Sequence, residues 1–195
     1  MKDNKIKEII ISSIETKEKL INETTIQNIR HIVDVCIKAL NNGNAIYWCG
    51  NGGSAADAQH LSAELSGRFY YDRDPLRSDA LHCNTSYITA VGNDYHYDVI
   101  YSRLLKGIGR RGDVIIGLST SGKSKNVVNA FNEARVIGIT TVGLTGEESN
   151  SFEHACDYIV NVPSIDTPRI QESHILIGHI ICELIESKLF PVDEN

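Results

Sequence analysis

Long apolar stretches are what this 195-residue chain most plainly lacks. No run of about 18 apolar residues occurs, so the sequence offers no candidate for a membrane-spanning helix. It also lacks any Cys-x-x-Cys pair. Its five cysteines, Cys36, Cys49, Cys83, Cys156 and Cys182, are odd in number and widely scattered, which argues against a disulfide framework or a thiolate zinc site. They read instead as small buried hydrophobes. Nor is there an excess of basic residues: 19 Lys and Arg face 25 Asp and Glu, for a net charge of -6. That balance argues against a broad nucleic-acid surface, although amides and helix ends can still hold a small anion. The opening residues Met1-Lys2-Asp3-Asn4-Lys5 place charge where a secretory signal carries its apolar core, so the expected compartment is the cytoplasm. No repeat, low-complexity tract or linker divides the chain.

What is present is globular in character. Hydrophobic residues at 42% and charged residues at 23% suit a folded domain. A single domain over residues 1–195 would bury roughly 70% of the surface that the unfolded chain exposes. Residues 1–41 read as helical, because Ile6, Ile9, Ile10, Ile14, Leu20, Ile21, Ile29, Ile32, Val33, Cys36, Ile37 and Leu40 recur at three- and four-residue spacing. Asn42-Gly43-Asn44 ends that pattern. The stripe up to Ile21 precedes any strand that could cover it, so it is expected to pack on a partner subunit, the alternative being that it folds back on its own domain. Over residues 42–195, apolar runs at 45–49, 80–83, 114–118, 140–144 and 158–162 alternate with helix-like stretches at 54–67, 94–109, 124–138 and 169–190. The alternation predicts a parallel sheet covered on both faces, with ligands beyond the carboxyl ends of the strands, after Cys49, Cys83, Leu118 and Leu144.

Two of those positions carry phosphate-type loops. The first strand runs into Gly50-Asn51-Gly52-Gly53-Ser54 and then an Ala-rich helix start. Glycines let the backbone approach a ligand and turn successive N–H groups inward. Ser54 is expected to cap the helix and to join the anion-facing set. The third strand runs into Ser119-Thr120-Ser121-Gly122-Lys123-Ser124, whose four hydroxyls suit the several acceptor oxygens of a phosphate monoester. Residues 117–124 also satisfy the GxxxxGK[ST] pattern of nucleotide hydrolases. Such enzymes need a carboxylate at the end of a neighbouring strand to help hold magnesium, and Cys49, Cys83, Leu144 and Val162 supply none.

Beyond the first loop, Asp57, His60 and Glu64 lie three and seven residues apart, with His60 and Glu64 projecting from one helical face. Near the C-terminus Gln171, His174 and His179 lie on another predicted helix, Gln171 and His179 being about 80° apart around its axis. Two imidazoles, a carboxylate and an amide oxygen make a set suited to zinc or a similar metal if the two helices meet. Spacing alone does not say that they do. Arg68 and Arg169 are open between a phosphate contact and an ion pair, and His31, His82, His96 and His154 read as surface or structural.

Taken in order, Asn51-Gly52-Gly53-Ser54, Asp57, His60, Glu64, Asn93-Asp94-Tyr95, Ser119-Thr120-Ser121-Gly122 with Ser124, and Arg169-Ile170-Gln171-Glu172 with His179 resemble the phosphoheptose isomerases. These are sugar isomerase (SIS) domain proteins that convert sedoheptulose 7-phosphate to D-glycero-D-manno-heptose 7-phosphate in bacterial heptose biosynthesis. The resemblance spans essentially the whole chain. It implies a three-layer, flavodoxin-like α/β sandwich around a five-stranded parallel sheet, assembled as a homotetramer. It further implies one zinc per subunit held by His60, Glu64, Gln171 and His179. Phosphate and sugar contacts are implied for Asn51, Gly52, Gly53, Asn93, Asp94, Ser119, Thr120, Ser121 and Ser124, with Glu64 and Gln171 also touching substrate. Glu64 is then the candidate for proton transfer between carbons, through an enediol, and His179 for acid/base work at the oxygens. Lys123 and Lys125 depart from the family's usual uncharged residues beside the phosphate loop. A rival reading is a non-catalytic SIS adaptor that binds a protein partner such as the replication initiator.

Overall fold

The computed structural model describes residues 3–191, so the helical reading of residues 1 and 2 lies outside the described residues. Five parallel strands, β1 Ile46–Gly50, β2 Ser78–Ala80, β3 Val114–Ser119, β4 Thr140–Thr145 and β5 Tyr158–Asn161, form one sheet in the order β2-β1-β3-β4-β5. This is the doubly wound order of flavodoxin-like folds. The expected α/β sandwich is therefore the one found. The helices are α1 Asp3–Glu18, α2 Glu23–Asn41, α3 Gly53–Ser66, α4 Thr85–Asp94, α5 Ile100–Ile108, α6 Lys125–Ile137 and α7 Thr167–Leu189.

Strand residues alternate between the two faces, and both faces are buried, which is why β1 and β3 read as continuous apolar runs. Ile46, Trp48, Val114, Ile116 and Leu118 pack on one side with α2, α3 and α7. Tyr47, Cys49 and Ile115 pack on the other with α5 and α6. Thus α3 and α7 share one layer. Their approach depends on Gly178, because a Cβ there would run into the side chain of fully buried Leu61.

The sequence-based boundaries needed correction in three places. The second strand lies at Ser78–Ala80 rather than 80–83. As an edge strand with polar Ser78 and Asp79 it carries little hydrophobic signal, and Ser78 instead accepts a hydrogen bond from Trp48 Nε1 at 3.0 Å. The helix expected over 94–109 begins earlier and breaks: Asn84 accepts from the Tyr87 N–H and caps α4, Tyr95 interrupts the run, and α5 follows a short 3₁₀ turn at Tyr97–Val99. The first helical region splits before Asn22, whose side chain caps α2 by accepting from Thr25 N–H at 2.9 Å. The cysteines divide likewise: Cys36, Cys49 and Cys182 are buried as expected, whereas Cys83 is exposed. No described helix is long and apolar enough to cross a membrane.

Candidate active site

The chain leaves β1 towards β2 on one side, while β3 pairs on the other, so the crevice between β1 and β3 is the topological switch point where such sheets place ligands. Both phosphate-type loops flank it. In the first, Gly52 takes φ +56 and stands at the N-cap of α3, a left-handed turn open to glycine. Ser54 is therefore not the cap: it is buried inside the first turn of α3, against Gly50. Gly53 lies directly beneath the amide of Gln171, and any side chain at that position would collide with it.

In the second loop Ser119 and Ser124 share a hydroxyl–hydroxyl hydrogen bond of 2.9 Å. Ser124 stands at the N-cap of α6 without capping through its side chain, so its hydroxyl is committed to the loop. Gly122, at φ +63, packs against the Ser149 carbonyl. Thr120 and Ser121 open onto a cavity of about 210 Å³ shared with Lys123, Ser164 and Thr167. Lys123 lies 3.9 Å from Glu148, both exposed, so its extra charge is partly countered.

The two helices that sequence spacing could not join do converge. His60 Nε2 lies 2.9 Å from His179 Nε2 and 3.3 Å from Glu64 Oε1. Donor atoms of His60, Glu64 and His179 all fall within 4.8 Å of one another, a set that could hold a metal ion. Asp57, one turn earlier on α3, has an Oδ2 with no hydrogen-bond partner. Burial raises its carboxyl above the ordinary value, opposed by a hydrogen bond from Gln171 and by nearby His60 and His179. Gln171 thus sits between Gly53 and Asp57, linking the first loop to the histidine–carboxylate cluster. Asn93 and Asp94 end α4 in the open, hydrogen-bonded to each other at 2.9 Å.

Several side chains here escaped the sequence reading. Asn51 and buried Asn126 exchange reciprocal amide hydrogen bonds of 2.9 and 2.8 Å, tying the first loop to the start of α6. Tyr97 donates its hydroxyl proton to Asn51 Oδ1 at 3.1 Å, which attaches the segment after Asp94 to the same loop. Phe69 packs its ring 5.8 Å from that of His179. None of these pairs is close in sequence, although Asn126 and Tyr97 each lie two residues past a motif. Within the chain, Arg68 reaches the Tyr70 carbonyl, and Arg169 pairs with Glu172 at 2.5 Å and reaches the Ile9 carbonyl.

His174 is fully buried on α7, and neither ring nitrogen makes a well-formed hydrogen bond. Burial pushes its imidazole down to about 4, the Thr145 backbone offsetting part of the effect. Above pH 6.5 the histidine is neutral in both folded and unfolded chains and adds no pH dependence. As pH falls from 6.5 to about 4 the unfolded chain takes a proton that the native state refuses, so stability is lost across that window. The loss at its lower end is ~3 kcal/mol. Denaturant unfolding at a series of pH values is expected to show this slope in the wild type and a flatter one in His174→Gln; equal slopes in the two would remove His174 from the account.

Two phosphate-type loops at a parallel-sheet switch point, with a histidine–carboxylate cluster between two helices beside them, describe an α/β sugar-isomerase domain. A family model described as SIS domain matches residues 11–146, and the chain belongs to that family. It is similar along its whole length to phosphoheptose isomerases. Identity is 48% over 194 residues to that of Clostridium acetobutylicum, covering 98% of this chain and 99% of the relative. It is 50% over 186 residues to that of Sulfurimonas denitrificans, covering 95% of each. The solved structure of a phosphoheptose isomerase from Francisella tularensis superposes with a TM-score of 0.91 at 32% identity, over 96% of this chain and 100% of that one. The enzyme from Neisseria gonorrhoeae gives 0.86 at 36% identity, over 94% and 98%.

Proposed function

We propose that this protein isomerises sedoheptulose 7-phosphate to D-glycero-D-manno-heptose 7-phosphate, serving bacterial heptose biosynthesis. The observation that carries the reading is the meeting of His60, Glu64 and His179 beside two phosphate-type loops. The substrate phosphate and sugar would be held by Asn51, Gly52, Gly53, Ser54, Asn93, Asp94, Ser119, Thr120, Ser121, Ser124 and Gln171. Hydroxyls and backbone N–H groups dominate that set, and they suit a ligand rich in acceptor oxygens. Buried Ser54 would contribute through its place in the first turn of α3, near the positive end of the helix.

Moving the carbonyl from C2 to C1 requires a proton to leave C1 and arrive at C2 by way of an enediol. A base within hydrogen-bond reach of both carbons can serve each transfer. Glu64 takes that role, and His179 gives and receives the proton at the carbonyl and hydroxyl oxygens. The donor chemistry of His60, Glu64, His179 and the Gln171 amide fits zinc, one per subunit. When bound, the metal would supply Lewis-acid polarisation of the substrate oxygens. Glu64 belongs to both sets, so its carboxylate must be held loosely enough to act as a base.

The protein is further proposed to assemble as a homotetramer through its N-terminal helices. Ile6, Ile10 and Ile14 of α1 are 53%, 55% and 51% exposed, an apolar row left open by the described residues. Incubation with sedoheptulose 7-phosphate is expected to yield the aldose, to stop after chelation, and to resume on zinc addition. Turnover undiminished by complete metal removal would defeat the zinc assignment. No aldose from any phosphorylated ketose would defeat the isomerase reading and leave the adaptor one.

A further inference from the structure

Behind the histidine–carboxylate cluster lies a second charged pair that the reaction does not use. Arg73 Nε meets Glu186 Oε1 at 2.9 Å, with the two side chains only 2% and 1% exposed. A buried ion pair is by itself weak evidence of stabilisation, because desolvation offsets its attraction. Its hydrogen bonds are more informative. Arg73 Nη2 donates to the Glu64 carbonyl at 2.8 Å, and Nη1 donates to the carbonyls of Leu65, Gly67 and Asp74 at 2.8, 3.0 and 3.0 Å. Two of these acceptors, Glu64 and Leu65, belong to the last turn of α3, where carbonyls have no helical partner. Glu186 in turn accepts from the N–H groups of Phe69 and Tyr70 at 2.9 and 2.7 Å.

Arg73 therefore holds backbone of the cluster, and Glu186 holds backbone beside it. Arg73 grips the peptide of Glu64 itself. Glu186 fixes Phe69, whose ring lies 5.8 Å from the His179 ring. Glu186 also follows His179 by two helical turns on α7, so the two side chains project from nearly the same face. The pair bridges the end of α3 to α7 on the side where Glu64 and His179 face each other.

We infer that Arg73 and Glu186 are positioning residues that hold Glu64 and His179 in mutual register. This rests on the proposed reading of Glu64 and His179. The guanidinium satisfies four carbonyls as well as one carboxylate, which a lysine ammonium with three donors cannot match. Residues that orient metal ligands and catalytic groups affect metal affinity or activity by about 10- to 100-fold when changed.

The test uses full-length Arg73→Lys, Glu186→Gln and Phe69→Leu, the last leaving the ion pair intact. Measured are circular dichroism, zinc affinity by competition with a chelator, and kcat and KM for sedoheptulose 7-phosphate. In folded Arg73→Lys and Glu186→Gln, KM is expected to stay within about twofold, because the phosphate loops are untouched, while kcat falls by at least tenfold. Zinc affinity is expected to weaken by a similar factor. Phe69→Leu is expected to move kcat and zinc affinity in the same direction by a smaller factor. Folded variants with wild-type kcat and zinc affinity overturn the inference. If the two charge variants do not fold, an unaltered Phe69→Leu overturns it. A wild-type protein that binds no zinc sinks the metal assignment but leaves the kcat ratios to decide; one that binds zinc without isomerising sinks the reaction but leaves the affinity ratios.

Discussion

Glu64→Gln is expected to lower kcat by about 100- to 10,000-fold while sugar-phosphate binding persists. The substitution conserves shape and removes only the ability to accept a proton. Glu64 is half-buried near the end of α3, 3.3 Å from His60 Nε2, and the replacement amide can occupy the same space. The loops that would hold the phosphate lie at the ends of β1 and β3, the first of them about three helical turns before Glu64 along α3. Calorimetric titration with the ketose phosphate and a discontinuous assay for aldose should therefore part company in this variant. Washing deuterium from solvent into C1 gives a second reading, since it needs proton removal without full turnover. A variant with wild-type turnover would refute the assignment of the base.

The second large effect is expected at a position that touches no ligand. Gly178→Ala places a methyl group in the space of the Leu61 side chain, which is fully buried and has nowhere to retreat. Overpacking of this kind costs about 1–3 kcal/mol. Its more telling consequence is geometric. His179 is the next residue, and separation of α7 from α3 carries its ring away from His60 and Glu64. Displacing a catalytic group by about 1 Å can cost 100-fold in rate, so kcat is expected to fall by at least tenfold in protein that remains folded. Adding Leu61→Ala should relieve the clash and recover part of the activity despite the cavity it leaves. If Gly178→Ala keeps both full activity and the wild-type melting temperature, the close helix crossing is not what sets the cluster.

Much of this architecture is legible from the chain alone. Strands β1, β3 and β4 announce themselves because a parallel sheet buried on both faces demands uninterrupted apolar runs. Helices α2 and α6 carry plain three- and four-residue spacing. Edge strand β2 does not, since a short outer strand can be built from Ser78 and Asp79. Helix α4 was hidden because its start is marked by one capping residue, Asn84, and it buries only Val91 fully. At the site, His60 and Glu64 share a helical face and could be paired by counting. Their meeting with His179 depends on Gly178 and Leu61 across the sheet's helical layer, which no local pattern encodes. Arg73 pairs with Glu186, and Asn126 and Tyr97 with Asn51, across dozens of residues, so their roles appear only once the chain is folded.

The amide pair between the first loop and the start of α6 has a consequence for what can be received there. Asn51 Oδ1 already accepts from both Asn126 and Tyr97, which exhausts its lone pairs, while Asn126 takes only one of the two protons on Asn51 Nδ2. The side chain therefore has a proton to offer and nothing left to accept with. It is a one-way group, receptive to an oxygen that bears electron density and indifferent to a cation or a donor. The polarity of this part of the first loop is thus written into the folded chain before any guest arrives.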